Sequence, residues 1–153
     1  MIPGHDYIGV GIGAMVFNRD GRVFLAQRGA KAWNERGTWE FPGGKVSFGE
    51  TLARAITREF QEEYGMRIEI IELLGVTDHI LVEEQQHWIS PTFIARYLSG
   101  GPSILEPEKC QAIGWFPLDE LPEPLSQVTE NDVQMYSMRY GLRSNWHADE
   151  AYT

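Results

Sequence analysis

Glu59 and Glu63 are the residues whose type and spacing point most directly to chemistry. They sit in the run Arg58-Glu59-Phe60-Gln61-Glu62-Glu63, which Gly65 closes. A glycine just past a periodic run is a helix stop signal, so the pattern predicts a helix from about Glu50 to Tyr64. At about 100° per residue, Leu52, Ile56 and Phe60 form one apolar stripe. Counted round from Leu52, Glu59 falls about 20° to one side and Glu63 about 20° to the other. Both acids therefore lie inside the arc that faces the protein. Arg54, Thr57, Arg58 and Gln61 take the opposite arc, and Glu62 lies at the edge of the inward one.

Inward acids one turn apart repel each other and lose solvation unless a cation sits between them. A hard divalent metal with oxygen ligands resolves that conflict. The competing reading is a rotated helix with a solvated glutamate face. The apolar stripe opposes that rotation.

The stretch before the helix adds independent weight. Gly44, Glu50, Arg58, Glu59, Phe60, Glu62, Glu63, Gly65 and Met66 stand in order and at the spacing that resembles the signature of the Nudix hydrolase family. Phe60 is a mild departure, since an aliphatic residue is commoner there. Farther on, Glu106-Pro107-Glu108-Lys109-Cys110 followed by Trp115 resembles the MutT-like branch, which includes nucleoside-triphosphate diphosphatases.

The resemblance implies an α/β fold, a Nudix-type α/β/α sandwich with a mixed β-sheet between helices. It implies Mg²⁺-dependent hydrolysis of a pyrophosphate bond in a nucleoside triphosphate or modified nucleotide, giving the monophosphate and pyrophosphate. Mn²⁺ is the expected substitute metal. The implied metal ligands are the carbonyl of Gly43 with Glu59, Glu62 and Glu63. Glu63, Glu62 and Arg58 form the implied catalytic set, with Glu62 as a second-metal ligand or base and Arg58 orienting a signature carboxylate. Glu50 supports the metal site or the helix start. Arg28, Trp39, Phe41 and Gly44 are the implied substrate contacts, and Glu106 or Glu108 a loop base or ligand. Two alternatives stay open: an ADP-ribose or nucleoside-diphosphate-sugar pyrophosphatase, and a non-catalytic nucleotide sensor.

The elements that must position these groups follow from pattern. Tyr7 to Phe17 alternates apolar residues with glycines and reads as a strand. Asn18-Arg19-Asp20-Gly21 is a turn into a second strand ending at Gln27-Arg28, so Gly9, Gly11 and Ala14 are not a dinucleotide fingerprint. Thr38 to Pro42 reads as a short strand in which Trp39 and Phe41 alternate with Glu40. Met66 to Leu81 and His87 to Leu98 read as two long strands, with Pro91 suggesting an edge or bulge. His79 and His87 near their turn are expected to be structural or solvated. Ile113 to Phe116 is a further strand, and Thr129 to Leu142 a final helix capped by Thr129 or Ser126.

Length and charge bound the rest. The 153 residues suit one domain, expected over 1–143 with a tail over 144–153. The single Cys110 forms no intrachain disulfide, which fits a reducing cytoplasm. No signal peptide or membrane span is expected. The net charge of -9 argues against a nucleic-acid polymer as partner. It leaves a small nucleotide or diphosphate substrate open. A homodimer is an expectation of the resemblance alone.

Overall fold

The computed structural model describes residues 1–141. The expected tail over 144–153 and the last residue of the expected final helix, Leu142, lie outside the described residues.

Among the described residues, seven strands and two helices follow in the order β1 (Gly9–Phe17), β2 (Val23–Arg28), β3 (Trp39–Glu40), β4 (Gly43–Lys45), α1 (Leu52–Tyr64), β5 (Arg67–Leu81), β6 (Gln86–Ser99), β7 (Cys110–Phe116) and α2 (Gln127–Tyr140). The sheet is mixed. Its main path runs β3-β2-β1-β6-β5, with β4 added to β1 and β7 to β2. β1 and β6 are parallel, and the other pairings are antiparallel. No helix among the described residues is long and apolar enough to cross a membrane.

Alternation along β1 supplies two cores. Ile12, Ala14 and Val16 pack with Ala55, Ile56, Phe60 and Tyr64 of α1. Met15 and Phe17 pack with Leu74, Ile94 and Tyr136, the last from α2. The helices thus cover opposite faces, as period-2 side chains dictate. Aromatic contacts tighten the first core, with Phe24 and Tyr64 meeting edge-on at 5.1 Å between ring centroids.

The feature that matters for function is a split in the sheet. β1 meets β2 only at its end, through Phe17 opposite Val23. Upstream, Gly11, Ile12 and Gly13 pair instead with Lys45, Gly44 and Gly43 of β4. Between the diverging strands the sheet opens, and a cavity of about 360 Å³ lies there. Gly43 makes the close approach feasible: a Cβ there would fall 1.6 Å from the carbonyl oxygen of Ile12.

Two expectations need correction. Pro91 is not at an edge: β6 lies between β1 and β5. Proline has no amide hydrogen to give a ladder. Accordingly, pairing with β1 stops after Val10 opposite Ile89 and resumes at Gly13 opposite Thr92. The strand before Trp115 begins at Cys110 rather than Ile113, because β7 pairs with β2 back to Arg28 across an irregularity. The final helix is capped by Ser126, whose hydroxyl accepts from the amide of Thr129. Thr129 is buried instead, and its hydroxyl accepts from the amide of Phe41 at 3.1 Å.

Gly43→Ala should therefore destabilise the fold by about 1–3 kcal/mol, since backbone must move to admit the methyl. Urea unfolding midpoints check this.

Candidate active site

α1 is set by its ends and one buried face. Thr51 caps it by accepting from the amide of Arg54 at 3.2 Å. Gly65 stops it in the left-handed conformation at φ 68°, a region that glycine enters without strain. Ala55, Ile56, Phe60 and Tyr64 are buried. With that face fixed, Glu59 and Glu63 both line the cavity.

The two acids meet at close quarters. The Glu63 carboxyl is pushed up to about 9, first by burial, then by the charge of Glu59 and a hydrogen bond with it. Without a cation, the pair therefore keeps a proton at neutral pH. Gly44 makes room for this arrangement: a Cβ there would fall 2.3 Å from the Glu59 carboxyl carbon.

Arg58 fixes the outer side of the pair. Its Nε donates to Glu50 Oε2 at 2.6 Å and its Nη2 to Glu50 Oε1 at 2.9 Å. Nη1 donates to Glu59 Oε1 at 2.8 Å, and Nη2 also donates to the carbonyl of Lys45 at 3.2 Å. One guanidinium thus ties the loop before the helix, β4 and Glu59 together, as a planar fork can. These bonds hold the Glu50 carboxyl down at about 2. Glu62 takes the remaining, weaker contact from Arg58 Nη1 at 3.2 Å. Its side chain is 57% exposed and lies outside the cavity lining.

The other sequence-derived candidates divide. Arg28 lines the cavity, but its Nη1 donates to both oxygens of Glu40, at 3.0 and 3.1 Å, and its Nε donates to the carbonyl of Asn34. Those donors hold the loop over residues 29–37 rather than pointing free into the cavity. Phe41 and Gly44 line the cavity, whereas Trp39 packs edge-on against Phe116 at 5.4 Å, outside the lining. Glu106 lines the cavity 3.4 Å from Lys109 Nζ. Glu108 does not line it, and contributes its backbone carbonyl to Lys31.

Sequence reasoning missed several lining groups. Lys45 Nζ sits 3.1 Å above the Trp33 ring. It lies within the signature stretch, at a position the pattern leaves unspecified. His79, expected to be structural or solvated, is structural: it is buried, with Nε2 3.4 Å from Glu35 Oε2. Asp132 of α2 is buried, accepts from the Thr92 hydroxyl at 2.9 Å, and reaches the cavity. Its carboxyl is raised to about 8, by burial that the Thr92 bond only partly offsets. No motif flags it; only the fold brings it to Thr92.

Among the described residues, no three His, Cys, Asp or Glu side chains are gathered to hold a metal by themselves. The donor set that does exist is two crowded carboxylates that line the cavity together with Gly43. Oxygen donors that otherwise need a shared proton fit a hard divalent cation completed by substrate or water oxygens.

Asp132 yields a pH test. An acid whose folded value is raised binds its proton more tightly when folded, so its contribution to stability is lost as pH rises. The wild type should lose on the order of a few kcal/mol between about pH 4 and 8, and Asp132→Asn should flatten that slope, leaving the part that the raised Glu63 carboxyl contributes. Denaturant titrations across this range measure it.

Known proteins resemble this chain over most of its length. The NUDIX domain model matches residues 8–137. The CTP pyrophosphohydrolase of Escherichia coli is 31% identical over 140 residues, covering 89% of this chain and 95% of that protein. The mouse 8-oxo-dGDP phosphatase NUDT18 is 35% identical over 115 residues, 73% of this chain but 33% of the relative, so the chain spans about a third of that protein's length. The crystal structure of a MutT NUDIX hydrolase from Burkholderia pseudomallei superposes with a TM-score of 0.79 at 42% identity, covering 85% of this chain and 98% of that one.

Proposed function

Since this chain belongs to the Nudix family, as a MutT-like hydrolase of the pyrophosphohydrolase class, we propose that it cleaves a nucleoside triphosphate or modified nucleotide with Mg²⁺, releasing the monophosphate and pyrophosphate. The observation that carries this reading is the Glu59–Glu63 pair, crowded together on the cavity wall beneath Gly44. Nudix hydrolases generally use a divalent ion. Here Glu59, Glu63 and the carbonyl of Gly43 are the groups to hold it, and Mg²⁺ suits their oxygen-only set. When bound, the ion supplies charge neutralisation for the phosphoryl oxygens and polarisation of water.

The chain's own residues do the rest. Arg58 keeps Glu59 in place from outside and does not touch substrate. Lys45 and Lys109, both at the cavity, meet the phosphate charge. Glu106 is the better acceptor for the proton of an attacking water, because it lines the cavity while Glu62 faces solvent. The names of the relatives, an 8-oxo-dGDP phosphatase and a CTP pyrophosphohydrolase, support a nucleotide rather than a nucleoside-diphosphate sugar.

Glu63→Gln should lower turnover at least about 100-fold, as loss of a preorganised electrostatic group does, while its melting temperature stays at or above the wild type's. Glu106→Gln should lower turnover more than Glu62→Gln does. Pyrophosphate release from a nucleotide panel with Mg²⁺, products resolved by chromatography, measures both. Near-normal turnover in Glu63→Gln, or release of a sugar phosphate as the main product, contradicts the reading.

A further inference from the structure

The sheet face that carries α1 is covered over only part of its length. α1 packs on Ile12, Ala14 and Val16 of β1. Period-2 alternation puts Val10 on the same face, nearer the start of the strand. Val10 stands opposite Ile89 of β6, and Ile89 opposite Asp78 of β5. Opposed residues share a face, so Val76 and Ile80, on either side of Asp78, belong to it as well. Among the described residues neither helix covers this part, and Val10, Val76 and Ile80 are 40%, 53% and 49% exposed. A hollow of about 280 Å³ adjoins it, with Ile8, Ile80 and Val82 in its lining.

Phe48 stands at the margin of this face. Val46 donates its amide to the carbonyl of Val10, so the chain leaves β4 beside the uncovered strands. Two residues later the Phe48 side chain is wholly exposed. Ile8, Val10, Phe48, Val76 and Ile80 together present on the order of 600 Å² of side-chain surface, which is large for an apolar patch on a monomer and most of the about 800 Å² that each partner of a stable dimer buries.

Two charges identify the occupant. Asp78 is exposed in the middle of the uncovered strands, and Arg54 is exposed in the first turn of α1, shortly after Phe48. Neither has an ion pair among the described residues. The net charge of -9 disfavours a membrane of anionic lipid or a nucleic acid here. A second copy brings what the face lacks: a protruding aromatic ring for the apolar surface and, following it, a cation for Asp78. Under two-fold symmetry each of these contacts occurs twice, because the same patch meets itself.

We propose that this face is the interface of a homodimer. The loop before α1 of each copy lies on the uncovered strands of the other, with Phe48 against Val10, Val76 and Ile80, and Arg54 paired with Asp78. None of these residues lines the cavity that holds Glu59 and Glu63, so the interface stands apart from the proposed reaction.

Sedimentation velocity of the full chain over roughly 1–100 µM, the span in which an interface of this size associates, tests this. The wild type should approach twice 17.4 kDa. Phe48→Asp should weaken association at least about tenfold, as loss of an aromatic anchor does. Its circular dichroism spectrum should match the wild type's, since the exposed ring supports no core in the monomer. Arg54→Asp and Asp78→Arg should each weaken association, and the two together should restore it to within about threefold of the wild type. That rescue reads the pair directly and leaves Phe48 unchanged. A wild type monomeric throughout, a dimer indifferent to Phe48→Asp, a double exchange no better than the single ones, or a mass that climbs past two copies with concentration would each overturn the proposal.

Discussion

The repulsion between Glu59 and Glu63 is the constraint on which the site depends. Two unit charges about 4 Å apart repel by about 4 kcal/mol at an effective dielectric of about 20. One charge-assisted hydrogen bond returns about 1.5–3 kcal/mol. Arg58 supplies such a bond to Glu59 alone, from the solvent side. Something else must settle between the two carboxyls. Without a cation a proton is favoured there, because burial and then the charge of Glu59 push the Glu63 carboxyl up. In the proposed working state a divalent ion takes that place.

The fold makes the crowding unavoidable rather than merely tolerated. α1 cannot turn its acids outward without withdrawing Ala55, Ile56, Phe60 and Tyr64 from the core. Burying a side chain of Phe size is worth about 1.5–3 kcal/mol, so the combined face outweighs the repulsion of one pair. β4 closes the other side, and its glycines let backbone approach where any side chain would collide. The sheet splits beside β4, which leaves open volume in front of the acids instead of packed side chains. Arg28 and Glu40 form a second, separate ion pair that holds the loop at the mouth.

Much of this was legible in the sequence, and the reasons differ by residue. The inward aim of Glu59 and Glu63 followed from helical period and the apolar stripe alone. Gly44 was expected only as a substrate contact; that its missing side chain makes room for the Glu59 carboxyl depends on β4 lying against α1. Glu62 was harder: at the edge of the inward arc, its exposure depended on packing that the wheel does not contain. Alternation put Trp39 and Phe41 on one side of Glu40, but the strand ends at Glu40, so that Phe41 reaches the cavity and Trp39 does not. Arg28 was expected to meet substrate, but only the pairing of β2 with β3 shows Glu40 set against it. Of the edge or bulge expected at Pro91, the edge is ruled out because β6 lies inside the sheet, and the ladders beside it are irregular instead. Asp132 was invisible: a single acid on a weakly patterned helix gains meaning only when Thr92, forty residues earlier, comes to meet it.

A crystal structure of the protein soaked in Mn²⁺, with anomalous scattering used to locate the ion, tests the central claim most directly. A peak is expected between the carboxylates of Glu59 and Glu63 and the carbonyl of Gly43, at roughly the 2.0–2.3 Å of hard-cation coordination to oxygen. Carboxylates turned out into bulk solvent, with the ion elsewhere or no peak at all, would contradict that claim.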